Sequence, residues 1–163
     1  MGLVTEQGFE AFFREEHRKL VALGAAMTGS LEMGQDLAQD AFARAYQQWS
    51  KISEYDRAGA WVRRVLINLA IDANRQRGRE RSVLSRLPRG EMLIADDSRS
   101  DEWWRAVRAL PDRQRAAVTL YYLEDLPVGQ VAAVLQVAEG TVKASLAKAR
   151  LTLAGMLRME DAS

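Results

Sequence analysis

The sequence predicts an all-α protein made of two small helical domains joined by a flexible linker, with a helix-turn-helix in the C-terminal domain. Apolar residues recur at three- and four-residue steps in each long patterned stretch, and no strand-like alternation persists anywhere. Between the two patterned halves, Gly, Ser, Pro and charged residues follow one another without a sustained period. We therefore place the domains at residues 1–78 and 101–163 and the linker at 79–100.

The composition argues against several kinds of chemistry. The 163 residues include no cysteine and a single histidine, His17. Disulfides, thiol nucleophiles and histidine-based metal sites are therefore not expected. Since the sequence also shows no phosphate-binding loop and no nucleophile–base set, we predict a protein that is not an enzyme and has neither cofactor nor metal.

The sequence shows neither a membrane-spanning segment nor a secretory signal, which predicts a cytoplasmic protein without membrane insertion. The longest apolar run covers residues 20–27, whereas a membrane span needs about 20 apolar residues. The first residues are rich in glutamate, which is unlike a secretory signal peptide.

Charge is sorted along the chain, although the net charge is only +1. Residues 57–90 contain nine arginines against Asp72 and Glu80, a net charge of +7, whereas residues 1–56 carry −4. An arginine-rich block of this kind supplies the phosphate attraction that nucleic-acid binding needs. The alternative is an ordinary solvated helix face.

Three helices are predicted in the N-terminal half, over residues 9–28, 32–49 and 58–77. The second has an acidic, amide-rich face opposite its apolar residues, which suits docking to a protein better than docking to DNA. An ordinary solvent-exposed face explains the same pattern. This face contains Gln35, Asp36, Gln39, Asp40 and Arg44.

The third helix has a polar stripe beside its apolar face. At 100° per residue, one side of this helix collects the apolar residues Val62, Val65, Leu66, Leu69, Ala70 and Ala73. The stripe, beginning with an aromatic ring, consists of Trp61, Arg64, Asn68, Asp72, Arg75 and Arg79. Aromatic rings stack on unpaired bases and arginines hold phosphates, so the stripe suits single-stranded DNA. Alternatively, Trp61 covers the core at a helix end and Asn68 is merely solvated.

The C-terminal half contains the spacing of a helix-turn-helix. A short helix over 128–135 is followed by a three-residue break and by a second helix with Gly140 and Thr141 at its start. Backbone amides and a hydroxyl at a helix start can hold a phosphate. A plain helical hairpin in a core is the alternative reading.

Taken in order, these segments resemble an extracytoplasmic-function (ECF) sigma factor of bacterial RNA polymerase. The matching segments are FEAFFREEHRKLVALGAAMTGS, GQDLAQDAFARAYQQW, AWVRRVLINLAIDANRQRGR and LPDRQRAAVTLYYLEDLPVGQVAAVLQVAEGTVKASLAKAR. They span about residues 9–158, and the motifs YxxW, WVRRVLINL and LPxRQR are similar to the actinobacterial SigE family.

The resemblance implies a function and a role for each surface: the protein would bind core polymerase, recognise the −35 and −10 promoter elements and help to open the promoter. Binding to the clamp helices of core RNA polymerase is implied for Asp36, Leu37, Gln39, Asp40 and Phe42. Binding to the −10 element is implied for Lys51, Ser53, Tyr55, Arg57, Trp61, Arg64, Asn68, Asp72, Arg75 and Arg79. Binding to the −35 element is implied for Arg115, Gly140, Thr141, Lys143, Ala144, Ala147, Lys148 and Arg150.

The resemblance also implies an anti-sigma partner. Departures from the family's common GTVKSRLHRAR pattern fall at residues 144, 145, 147 and 148, where small residues and a lysine predict weak reading of −35 bases. Gln136 takes a turn position that is often glycine. A free-standing DNA-binding regulator is the rival function, and it differs by binding its site without polymerase.

Overall fold

The computed structural model describes residues 2–53, 57–84 and 98–161, and the helices account for most of them. No strand occurs in those three ranges, which confirms the predicted all-α class. The helices are α1 (Gly2–Thr28), α2 (Leu31–Gln47), α3 (Trp49–Ile52), α4 (Ala58–Leu84), α5 (Ser98–Arg108), α6 (Asp112–Val118), α7 (Val128–Leu135) and α8 (Glu139–Asp161). A π-helical turn, Thr119–Leu123, continues α6.

The first two helices approach each other backbone to backbone. A Cβ added to Gly34 would lie 2.7 Å from both the carbonyl oxygen of Val21 and the amide nitrogen of Ala25. The turn between the helices is built from Gly29, whose φ of +79° suits glycine, and from Ser30, whose Oγ accepts from the amide of Met33 at 3.2 Å. The short turn and the absent side chain together fix an antiparallel pair.

The N-terminal half packs α4 against that pair, and the C-terminal half packs α5, α6 and α7 around α8. Buried residues of the first half include Leu20, Leu23 and Leu66, and those of the second include Leu120 and Leu146. The buried apolar side chains of both halves form one continuous cluster. The two predicted helical units are therefore in direct contact in this structure, rather than separated by the length of a tether.

The helix boundaries differ from the sequence prediction at the linker. Helix α4 continues to Leu84, and α5 begins at Ser98. Both ends of the predicted 79–100 linker are thus helical. At its start, no proline interrupts the chain before Pro88, and the arginine, glutamate and leucine residues there are good helix formers. The central part, residues 85–97, lies outside the described residues, so its flexibility stays a prediction.

Candidate nucleic-acid interface

The polar stripe of α4 lies opposite a buried face, as its periodicity predicts. Val62, Leu66 and Ala70 are fully buried. Four members of the stripe are exposed and two, Trp61 and Arg64, are half-buried. The exposed members are Asn68, Asp72, Arg75 and Arg79.

Arg64 binds the C-terminal half of the same chain. Its Nε donates to the carbonyl oxygen of Val134 at 3.1 Å and its Nη2 to that of Ala133 at 3.1 Å. These carbonyls belong to the last turn of α7, where a cation is favourable because the carbonyl dipoles point outward. Arg75 adds a second connection, with its Nε 3.5 Å from Oδ2 of Asp112 on α6. Two arginines predicted to hold DNA therefore hold the second half here.

Trp61 combines features of the two roles that the sequence leaves open. Its ring packs against the buried core, yet it also lines a cavity of about 260 Å³ with Arg57, Arg64 and Gln136. The indole is therefore neither fully covered nor fully available for stacking in this arrangement.

The segment before α4 has exposed polar side chains at Lys51, Ser53 and Arg57. Tyr55, which the resemblance places on the same −10 surface, lies outside the described residues.

The acidic face of α2 is exposed at Asp36, Gln39 and Asp40, with Leu37 half-buried beside them. Asp40 forms an exposed pair with Arg44 at 3.0 Å. Together they present carboxylates and an amide around a partly accessible apolar side chain, which is the surface expected for a protein partner.

Phe42 is placed differently from the rest of the predicted polymerase-binding set. It is 2% exposed, and its ring lies 5.9 Å from that of Phe12 and 4.9 Å from that of Phe13. The reason is helical periodicity: Phe42 follows Ala38 by four residues and shares its buried side. In this structure the Phe42 side chain belongs to the core beneath the exposed face of α2.

The C-terminal half contains a helix-turn-helix formed by α7, a turn over residues 136–138 and α8. Gln136 adopts the left-handed conformation with φ 56° and ψ 46°, which is why glycine is favourable at such a position. Val142, Leu146 and Ala149 face the core. The outward face of α8 exposes Gly140, Thr141, Lys143, Ala144, Ala147 and Lys148.

Arg150, at the edge of that face, is exposed and interacts with two tyrosine side chains. Its Nε donates to the hydroxyl of Tyr122 at 2.8 Å, and its guanidinium lies 5.8 Å from the ring centroids of Tyr121 and Tyr122. The tyrosines thereby orient the guanidinium.

Arg115, for which the resemblance implies contact with the −35 element, is buried in this structure. It is 9% exposed, and its Nη2 donates to the carbonyl oxygens of Arg108 at 2.9 Å and Leu110 at 2.8 Å. Burial lowers the pKa of Arg115, and the nearby Asp112 carboxylate opposes that shift. The side chain ties α6 to the end of α5, a role the sequence does not reveal because the accepting groups are backbone carbonyls.

A buried ion cluster joins the two halves and was not anticipated. Arg63 lies 2.6 Å from the carboxylate of Glu16 on α1 and 2.7 Å from that of Glu124, which follows the π-helical turn. Burial by itself lowers the pKa of Arg63, but the hydrogen bonds and attraction to Glu124 and Glu16 outweigh it, so the pKa is raised. The one feature of the sequence that points to this burial is that Arg63 borders the apolar face of α4. Its partners, Glu16 and Glu124, are distant in sequence.

The two predicted DNA surfaces meet only at one edge, where Arg64 and Asn68 of α4 and Thr141 of α8 line the same cavity. This cavity of about 200 Å³ is lined by Arg64 and Asn68 of α4, by Gln136 in the turn, and by Thr141 and Ser145 of α8. It is smaller than typical small-ligand pockets of about 300–1,000 Å³. Nucleic acid cannot enter this cavity, whereas Lys143, Ala144, Ala147 and Lys148 of α8 are exposed outside it.

Two features are absent from the described part of the chain. No group of histidine, cysteine or carboxylate side chains suited to a metal ion was found there. Within the same residues, none of the helices combines the length and apolar character that crossing a membrane requires.

The sequence matches two protein families in succession. Residues 12–80 match the family described as Sigma-70 region 2, and residues 100–153 match Sigma-70, region 4. The chain is 31% identical to the RNA polymerase sigma-E factor of Streptomyces coelicolor, over 99% of this chain and 91% of that protein. It is 32% identical to the ECF RNA polymerase sigma factor SigM of Mycobacterium tuberculosis, over 91% and 76% respectively.

Two solved structures share the fold. The sigma factor RpoE in complex with the anti-sigma factor NepR from Bartonella quintana has a TM-score of 0.75 at 21% identity, covering 92% of this chain and 96% of that one. CnrH in complex with the cytosolic domain of CnrY has a TM-score of 0.71 at 19% identity, covering 96% of each chain. With both sigma-70 regions in order and a sigma-E relative matched along nearly its whole length, the chain belongs to the ECF sigma factors of bacterial RNA polymerase.

Proposed function

We propose that this protein is an alternative sigma factor that binds core RNA polymerase, recognises −35 and −10 elements and promotes promoter opening. The observation that supports this most is the succession of region 2 and region 4 along one chain, each with an exposed polar helix face. The protein itself makes or breaks no covalent bond, and it acts in the cytoplasm, where polymerase is.

The exposed face of α2 is the proposed docking surface for the clamp helices of the polymerase. Asp36, Gln39 and Asp40 provide acceptors and an amide for a partner's polar side chains, and Leu37 provides apolar contact area. Phe42 supports this face from below through its packing on the α1 phenylalanines.

The α4 stripe and the segment before it are the proposed −10 surface. Stacking on the Trp61 indole would hold an unpaired base, while Arg64 and Arg75 would hold phosphates and Asn68 a base edge. Lys51, Ser53, Tyr55, Arg57, Asp72 and Arg79 complete the proposed surface.

The exposed face of α8 is the proposed −35 surface. Its small residues, Ala144 and Ala147, let the helix lie deep in the major groove and pack on thymine methyl groups. Lys143, Lys148 and Arg150 contact phosphates or guanines, and Gly140 and Thr141 lie beside a phosphate at the helix start. Base reading is modest, since polymerase holds the protein at the promoter as well.

Promoter binding requires the two halves to separate. Arg64 is occupied by α7 carbonyls, and the cavity between α4 and α8 is too small for DNA. We infer that docking on polymerase replaces the contacts between the halves, which frees Arg64 and opens the cavity that α4 shares with the start of α8. The length of chain between α4 and α5 then spans the two promoter elements.

An anti-sigma factor is the proposed regulator. The Bartonella quintana sigma factor forms a complex with one, and CnrH forms a complex with the cytosolic domain of CnrY. A partner of this kind would prevent separation of the halves. Affinity purification of the tagged chain from its host should recover such an inhibitor; recovery of none, with activity following protein level, would contradict this part of the proposal.

Run-off transcription tests the function. Purified core polymerase is incubated with a genomic fragment library, with and without the protein, and new transcripts are sequenced. We expect transcripts that depend on the protein and share a pair of upstream elements. A free-standing regulator instead predicts a footprint on duplex DNA without core, together with no binding to core polymerase.

A further inference from the structure

A buried cluster of one arginine and two glutamates lies where the two halves meet, and none of its members belongs to the proposed promoter or polymerase surfaces. Nε of Arg63 donates to Oε2 of Glu124 at 2.7 Å, and its Nη2 donates to Oε2 of Glu16 at 2.6 Å. The side chains of Arg63, Glu124 and Glu16 are 9%, 5% and 14% exposed. We call these three residues the latch.

The members of the latch are divided unequally between the halves. Arg63 of α4 and Glu16 of α1 both belong to the N-terminal half, whereas Glu124, directly after the π-helical turn, belongs to the C-terminal half. Nη1 of Arg63 also donates to the carbonyl oxygen of Gly59, on the same helix, at 3.0 Å. Separation of the halves therefore breaks the pair with Glu124 and keeps the other two contacts of the guanidinium.

This division lowers the free energy needed to separate the halves. A buried charge that loses its only partner is strongly unfavourable, but Arg63 retains Glu16, and Glu124 becomes a carboxylate that water can solvate. In the closed arrangement, Oε1 of Glu124 is buried and has no hydrogen-bond partner among the described residues. A buried polar atom without a partner carries a free-energy penalty. The contact between Arg63 and Glu124 is therefore specific, yet suited to being broken and formed again.

We propose that Glu124 is the detachable partner of a latch that sets the equilibrium between closed and separated halves, and that this equilibrium limits how tightly the chain binds core polymerase. The second part rests on the proposed function, whereas the latch itself does not. When the binding-competent arrangement is a minor one, the apparent affinity is reduced by its fraction. A weaker latch should therefore increase the affinity for core polymerase, although it decreases the stability of the fold.

Glu124 tests the latch more cleanly than Arg64 does. Arg64 also joins the halves, through carbonyls at the end of α7, but it belongs to the proposed −10 surface, so its substitution changes DNA binding as well as closure. Glu124→Gln changes only the latch. Glu16→Gln is the matched control, because it removes a carboxylate from the same guanidinium but alters a pair that exists in both arrangements.

Labelling of a buried thiol measures separation of the halves in the free chain. The protein has no native cysteine, and Ala116 is 1% exposed and lines the cavity that α4 shares with α8. In an Ala116→Cys parent, a thiol reagent reacts only after the halves separate or the chain unfolds, so the labelling rate follows the opening equilibrium. We expect Glu124→Gln to raise this rate by about tenfold, the effect of losing a hydrogen bond to a charged group. Glu16→Gln should change it far less.

Equilibrium titration with core polymerase is the second readout, on the same two substitutions without Ala116→Cys. Glu124→Gln should bind about tenfold more tightly than the wild type, because its binding-competent fraction is larger, and Glu16→Gln should bind about as tightly as the wild type. Labelling that is unchanged in Glu124→Gln, or raised equally by both substitutions, overturns the latch. Faster labelling without tighter polymerase binding supports the latch and overturns its link to polymerase binding, so the two parts fail separately.

Discussion

The guanidinium of Arg63 lies 2.7 Å from the carboxylate of Glu124, and this pair connects helix α4 to the C-terminal half inside a continuous core. Glu16 completes the cluster from α1 at 2.6 Å. Arg63 therefore joins three parts of the chain that are far apart in sequence. Removing one partner from a buried ion pair leaves charge without compensation, which gives the cluster a measurable effect on stability.

Glu124→Gln should lower the free energy of unfolding by about 1.5–3 kcal/mol, the range for hydrogen bonds to charged groups. In this variant Glu16 still pairs with Arg63, so the loss of stability is smaller than it would be if Arg63 had no acidic partner left. Urea unfolding measures it. Glu10→Gln is the control, because its pair with Arg14 is exposed and should contribute less than about 1 kcal/mol; equal effects of the two substitutions would contradict the assigned role.

Gly34→Ala should destabilise the protein by about 1–3 kcal/mol, because overpacking forces neighbouring atoms to move. The new Cβ would lie 2.7 Å from backbone atoms of α1, which cannot rotate away. Gly155→Ala on α8 has open space at its Cβ and should instead stabilise by about 0.5–1 kcal/mol. Thermal unfolding of both variants tests these predictions. A Gly34→Ala variant as stable as the wild type would show that α1 and α2 pack less closely than the structure indicates.

Asp40→Ala and Phe42→Ala should separate binding from stability on helix α2. Asp40 is exposed, so its removal should weaken core polymerase binding with little change in stability. Phe42 is buried, and its truncation should cost about 3–5 kcal/mol of stability. Binding assays and urea unfolding on the same preparations measure both quantities; an unfolded Asp40→Ala variant or a fully stable Phe42→Ala variant would contradict this division.

Trp61→Ala should impair promoter opening more than polymerase binding. Loss of a stacking surface worth about 1–3 kcal/mol per base corresponds to roughly a 5- to 150-fold reduction in the open complex. Permanganate reactivity of unpaired thymines measures opening. Trp61→Phe retains a ring and should retain much of the activity; equal losses of opening and polymerase binding in Trp61→Ala would rule out a specific stacking role.

Much of the fold follows from local patterns in the sequence. The apolar periodicity of α1, α2 and α4 and the break at residues 136–138 depend on neighbours along the chain, so they can be derived from it. The same holds for the left-handed turn residue Gln136, whose position after the last turn of α7 fixes its conformation.

What the sequence leaves undetermined depends on contacts between distant segments. From its sequence context, Arg115 is expected at the surface. It is buried instead, because the carbonyls that accept its hydrogen bonds lie at the end of another helix. Arg64 reads as a DNA contact, and its α7 partners lie about seventy residues later. Pairwise partners of this kind cannot be recovered from periodicity or composition, which describe one segment at a time.

The central claim is that the two halves, which contact each other through Arg64 of α4 and the end of α7 in the free protein, separate when core polymerase binds. The chain has no native cysteine, so dyes can be attached selectively to an Ala43→Cys, Gly155→Cys double variant. Both positions are exposed, one in each half. Energy transfer between the dyes is measured with and without core polymerase on a promoter that the protein recognises. The account predicts high transfer in the free protein and a marked fall on addition of core; unchanged transfer in a complex that still produces transcript would contradict it.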